Sequence, residues 1–154
     1  MNDSLQYIIF SIDTRNFAIP IDAVERIIHA VEITFIPDSP FIMSGVINME
    51  GAIISVINMR RCFNIPDCEI RESNRFIIVR SDRMMLALIA DSVSDILKVP
   101  CSDFIDNKQI FEGLSQTTGA IRREDGVIPI IDINQLINIQ DGAAFNNEAE
   151  EGQI

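Results

Sequence analysis

Positive charge is scarce in this sequence: 12 Lys and Arg stand against 23 Asp and Glu, for a formal net charge of -11. Binding to nucleic acid rests on basic clusters that neutralise phosphates and release counterions, so nucleic acid is excluded as a partner. The same acidic excess keeps a chain that is 47% hydrophobic in solution. Long apolar runs are missing as well. None approaches the roughly eighteen residues of a spanning helix. The opening MNDSLQYIIF also lacks the basic start and extended apolar stretch of a signal peptide. The chain therefore reads as cytoplasmic, with no direct membrane insertion. Cysteine occurs three times, at Cys62, Cys68 and Cys101, without a C-x-x-C pair. That odd number argues against a disulfide framework or zinc site and for a reducing compartment.

Catalytic constellations are absent too. The single histidine, His29, has no Cys, Ser or acid pattern beside it that would make it a recognisable base. No P-loop, dinucleotide fingerprint, H-E-x-x-H or calcium loop occurs. Asp91 and Asp95 stand at helical i,i+4 spacing, but hard cations need more oxygen ligands, and Asp91 suits a helix N-cap. The expectation is a protein that is not an enzyme and uses neither metal nor cofactor.

What the sequence has in plenty is isoleucine, 30 of 154 residues. Its β-branched side chain fits a pleated, half-buried surface better than a helix, so the bias is toward β structure. Residues 5–12 and 16–21 read as a hairpin across DTR, followed by DAVERIIHAV with apolar residues at helical spacing and Asp22 as its cap. A loop marked by Pro37 and Pro40 leads to two strands flanking Glu50-Gly51, then a helical turn over 60–64. After a polar connector, DCEIRESN, the order recurs. FIIVR and MMLALIA read as strands, DSVSDIL as helix, a loop follows at Pro100, and two strands flank 124–126.

Self-comparison supports a duplication. FAIPIDAVERII set against LALIADSVSDIL aligns Ala18 with Ala87, Asp22 with Asp91, Val24 with Val93 and Ile27 with Ile96. GVINMEGAIISVINMRRCFNI set against GAIRREDGVIPIIDINQLINI aligns Gly45 with Gly119, Glu50 with Glu124 and Ile65 with Ile139 without a gap. Each half is too small to bury a large core alone, so the halves should pack together and leave a groove at their seam. The tail from Gln140 carries four acidic and no basic residues and reads as a solvated, disordered segment.

The segments YIIFSI, FAIPIDAVERI, GVINMEGAIISVINMR, ADSVSDIL and DGVIPIIDI, in that order, resemble the CheW-like family of chemotaxis coupling proteins over about Leu5 to Ile139. The resemblance implies an all-β fold with short helices, built as two pseudo-symmetric five-stranded SH3-like barrels around a shared apolar core. One barrel would occupy approximately residues 1–70 and the other 71–139, with 140–154 as the tail. It also implies a non-enzymatic adaptor that bridges the cytoplasmic helical tip of a chemoreceptor to the regulatory, itself CheW-like, domain of a histidine kinase. Such an adaptor would sit at membrane-associated receptor arrays through its partners. Residues Ile8, Ile21, Val24, Ile27 and Val93 are expected to line the receptor groove, and Arg26, Glu50 and Arg60 to contribute to kinase coupling. Two alternatives stay open: an adaptor of a chemosensory pathway not controlling swimming, and a small-ligand sensor using the groove.

One departure from the family pattern stands out. Many members carry Glu in V-x-E-I and Arg in N-L-R-G, where this chain has Arg26 and Glu50. Exchange of both signs suggests that the two residues face each other, although Arg26 also stands four residues after Asp22.

Overall fold

In the computed structural model, residues 4–106 and 117–136 are described. The acidic tail expected from residue 140 and the last residues of the duplicated segment lie outside them. Strands β1 (Ser4–Ile12) and β2 (Arg15–Pro20) form the expected hairpin, and a 3-10 turn at Ile21–Ala23 leads directly into β3 (Val24–His29). Then come β4 (Met43–Met49), β5 (Ala52–Ile57) and the single helical turn α1 (Met59–Cys62). The second half runs through β6 (Arg75–Arg80), β7 (Met85–Ala90), β8 (Ser92–Pro100), a 3-10 turn at Cys101–Asp103, β9 (Phe104–Asp106), β10 (Thr117–Arg123) and β11 (Gly126–Ile131).

These strands make two sheets, one six-stranded in the order β8-β1-β2-β11-β10-β9 and one five-stranded in the order β3-β6-β7-β5-β4. The expectation of two closed five-stranded barrels is corrected here. Among the described residues neither sheet closes: β8 and β9 remain the edges of the first, and β3 and β4 the edges of the second. The halves also exchange strands. β3 leaves its own hairpin to pair with β6, and β8 crosses back to pair with β1. Replacing each strand by its counterpart in the other half converts β3-β6-β7-β5-β4 into β8-β1-β2-β11-β10, so the duplication seen in the sequence is present in the topology.

Both segments read as helices are strands, and neither Asp22 nor Asp91 caps a helix. The 3-10 turn after β2 has no side-chain cap, and Asp91 Oδ2 instead accepts from the Asp13 backbone N–H at 2.6 Å. The misreading has a physical source. In β3 the register shifts between Val24 and Arg26, so that Val24 opposes Val79 while Ile27 opposes Ile77. In β8 Val93 opposes Phe10 while Ile96 opposes Ile8. One extra residue in each strand puts positions three apart on one face, which a regular strand cannot do and a helix does.

The local details repeat as well. Asn58 Oδ1 accepts from the Arg61 N–H at the start of α1, and Asp132 Oδ1 accepts from the Gln135 N–H at the helical residues 133–136. Gly45 and Gly119 each sit at a register shift, where a Cβ would strike the carbonyl oxygen of Thr34 or Ile105 respectively. Only glycine permits that backbone approach. The main core lies between the sheets and draws Phe10, Ile12, Phe17 and Ile19 from one and Ile57, Ile77, Val79, Leu86 and Leu88 from the other. A smaller cluster around Ile9, Val99 and Ile121 lies on the far face of the first sheet, and one around Ile47, Phe76 and Ile78 on that of the second.

Candidate functional site

The exchanged strands β3 and β8 occupy equivalent edges, and the expected groove residues gather on and beside them. Facing residues of paired strands share a side. Val24 and Ile27 therefore lie on the side of β6 that carries Val79 and Ile77, both in the intersheet core. Ile8 and Val93 share the corresponding side of the β1–β8 pair with Phe10. Val24 and Val93 are half-buried against that core, whereas Ile27 keeps 38% of its surface in contact with solvent. Ile8 is buried, and Ile21 lies half-buried in the turn between β2 and β3. Sequence reasoning left out Ile96. It opposes Ile8 across β1–β8, is 55% exposed, and is the counterpart of Ile27 in the self-comparison, which was the signal available to find it.

Arg26 and Glu50 meet. Arg26 Nη1 donates to Glu50 Oε1 at 3.2 Å, tying edge strand β3 to the β4–β5 turn. That turn has two central residues, Glu50 at φ 53 and Gly51 at φ 92, as a type I′ hairpin requires. Asn48 Oδ1 accepts the Gly51 N–H at 2.9 Å and fixes the loop further. The two side chains are 46% and 74% exposed, so the pair contributes about 0–1 kcal/mol of stability and acts mainly on pose.

Arg60 is placed differently from the other two charged candidates. Its side chain is only 13% exposed. Nη2 donates to Asp13 Oδ1 at 2.7 Å and Asp91 Oδ2 at 2.8 Å, and Nη1 donates to the Pro66 carbonyl at 3.0 Å. The bond to Asp13, followed by the smaller contribution of Asp91, holds the guanidinium above its ordinary pKa against the opposing effect of burial. The network joins the β1–β2 turn, α1 and the β7–β8 crossover, and therefore spans both sheets.

Chemistry is sparse elsewhere. Among the described residues no group of three His, Cys, Asp or Glu side chains is placed to hold a metal. Burial pushes the Cys62 thiol up to about 12, so it is no nucleophile at neutral pH. His29 is exposed at the end of β3, opposite Arg75. A cleft of about 770 Å³ opens at the end of the first sheet; none of Ile8, Ile21, Val24, Ile27 and Val93 lines it, while Ile96 and its β8 neighbour Leu97 do.

Two open sheets with a shared core, apolar side chains on both exchanged edges and charge pairs that fix loops define a protein-binding scaffold. The CheW-like domain profile matches residues 6–141, so the chain belongs to the CheW-like family. It is similar to the chemotaxis protein CheW of Bacillus subtilis, 26% identical over 136 residues and covering 85% of each chain. Similarity to CheW of Thermotoga maritima is also 26%, over 83% of this chain and 84% of that one. Among solved structures, the scaffolding protein TtCheW of Thermoanaerobacter tengcongensis superposes with a TM-score of 0.76 at 25% identity, over 84% of this chain and 89% of that one. The protein is a non-enzymatic adaptor of chemotaxis signal transduction, linking chemoreceptors to histidine kinase signalling.

Proposed function

We propose that the exchanged edges form the receptor seat, with Ile8, Ile21, Val24, Ile27 and Val93, extended by Ile96, taking the apolar face of a chemoreceptor's helical tip. The turn held by Arg26 and Glu50 belongs to the surface that meets the kinase's regulatory domain, and Arg60 sets the relative pose of the two sheets behind both contacts. Association with membrane-bound arrays then comes through these partners. The observation that carries the reading is the repeated exposure of Ile27 and Ile96 at equivalent edge positions, beside half-buried Val24 and Val93. A helix laid in a groove is read by apolar anchors of this kind.

Val24→Asp tests it. A carboxylate held unpaired in an apolar contact costs a few kcal/mol, roughly a hundredfold in affinity. Titration against a receptor-tip fragment should show that loss while circular dichroism and the urea midpoint stay close to wild type. Unchanged affinity in a folded variant would remove Val24 from the contact, and loss of the fold would make it a core residue only.

A further inference from the structure

The cleft at the end of the first sheet lies where the β1–β2 and β10–β11 turns approach the middle of β8. Its apolar lining comes from Ile9, Phe17, Phe63, Leu97, Ile128 and neighbouring residues, and its charged lining from Arg15, Arg123, Asp95 and Asp125. The volume, about 770 Å³, falls within the range of small-molecule sites, about 300–1,000 Å³.

The arginines carry the argument. Arg26, Arg60, Arg61 and Arg80 are spent in ion pairs, and Arg71 and Arg75 donate to neighbouring groups. Arg83 also has a partner. Among the described residues, Arg15, Arg122 and Arg123 are the arginines whose side chains make no hydrogen bond, ion pair or ring contact. All three lie at this end of the sheet. β2 and β11 run parallel with Ala18 beside Ile130, so three residues earlier Arg15 comes level with Val127, which itself opposes Arg122. In a protein of net charge -11, two uncommitted guanidinium groups, Arg15 and Arg123, thus line one cleft of mixed polar and apolar character, with Arg122 near by but outside its lining.

We infer that this cleft binds a small organic monocarboxylate, its carboxylate held by Arg15 and Arg123 and its apolar body lying on Phe17, Phe63 and Ile128. The planar guanidinium fork matches a carboxylate. Asp95 and Asp125 in the same lining repel any anion, but a phosphate dianion about twice as strongly as a monocarboxylate, so the singly charged ligand is favoured.

Phenylacetate is a suitable probe, with phenylacetamide and inorganic phosphate as comparators, titrated into the full chain with amide chemical shifts as the readout. Phenylacetate at millimolar concentration should give saturable shifts confined to residues 14–17, 94–97 and 123–129. Phenylacetamide should bind at least about tenfold more weakly, since a hydrogen bond to a charged group is lost. Arg15→Gln and Arg123→Gln should each weaken phenylacetate by a similar factor, and their unchanged spectra elsewhere would show the fold intact. No saturable shift, equal binding of the amide, tighter binding of phosphate, or shifts centred elsewhere would each overturn the assignment.

Discussion

Replacing Arg60 with Met keeps the length of an apolar stem in α1 but removes the guanidinium that joins three segments. Three bonds are lost, to Asp13, Asp91 and the Pro66 carbonyl. Bonds to charged groups contribute about 1.5–3 kcal/mol each when shielded. Here the acceptor carboxylates are 49% and 31% exposed, so water recovers much of that, and the carboxylates of Asp13 and Asp91 are left close together without a cation. A net loss of about 2–3 kcal/mol results. With a urea slope of about 1–3 kcal/mol per molar, the unfolding midpoint should fall by about 0.7–3 M. The sequence has no Trp, so far-UV circular dichroism is the readout. Arg26→Met, whose ion pair is mostly exposed, should shift the midpoint far less and serves as the control. An Arg60→Met midpoint within about 0.3 M of wild type would refute the view that this network holds the sheets together.

Arg26→Glu and Glu50→Arg should each weaken kinase coupling in a reconstituted receptor–kinase assay, with the double exchange recovering part of the loss; strictly additive losses would mean that the residues act independently. Ile96→Asp should weaken receptor-tip binding about as much as Ile27→Asp, because the two occupy equivalent edges, and an effect at only one of them would break the symmetry of the seat. Thiol labelling of the native protein at neutral pH should modify Cys68 and Cys101 while sparing buried Cys62 until denaturant is added. Because burial raises the Cys62 pKa to about 12 from 9.0, folding favours its neutral form. Its contribution is intact below pH 9 and is lost as pH rises through about 12, so Cys62→Ala should flatten the alkaline limb of stability.

Much of the fold was legible because it depends on patterns the sequence states locally. The β1–β2 hairpin, the loop after β3, the Glu50-Gly51 turn and, in the second half, the β6–β7 hairpin and the turn at 124–125 follow from turn chemistry, alternation and self-alignment, whereas the loop expected at Pro100 is the end of β8 and a 3-10 turn leading directly into β9. The Arg26/Glu50 contact was legible through two sign reversals at positions distant in the chain, and the structure brings them to 3.2 Å. Sheet closure and strand exchange were not legible, because they depend on which distant edge a strand pairs with, and the chain carries no local mark of that choice. Arg60 was singled out in the sequence, but the network it anchors was hidden for the same reason. Its partners Asp13 and Asp91 lie far away in sequence, and Asp91 looked like a helix cap because its neighbourhood looked helical.

That helical appearance bears on what the edges can bind. An apolar pair three residues apart reads as helix, yet in β3 and β8 it comes from a bulge that turns both apolar side chains to one face. The structure stabilises each irregularity. Glu25, the extra residue of β3, pairs with Arg80 on β6 at 3.1 Å, and Ser94 Oγ in β8 donates to the carbonyl of Ile9, the β1 residue that the register skips. Bulges and charged side chains on an edge oppose pairing with a further strand, and Glu25, Arg26, Asp95 and Lys98 lie on these two edges. An occupant that needed the backbone groups of β3 or β8, as an added strand does, would meet a distorted ladder and charge. One that needs only an apolar stripe meets Val24, Ile27, Val93 and Ile96 turned together to the core-facing side of their edges, with Ile27 and Ile96 still exposed. On each sheet, therefore, the bulge opposes an added strand, and the receptor seat proposed above is one that a helix, needing no backbone pairing, fits better.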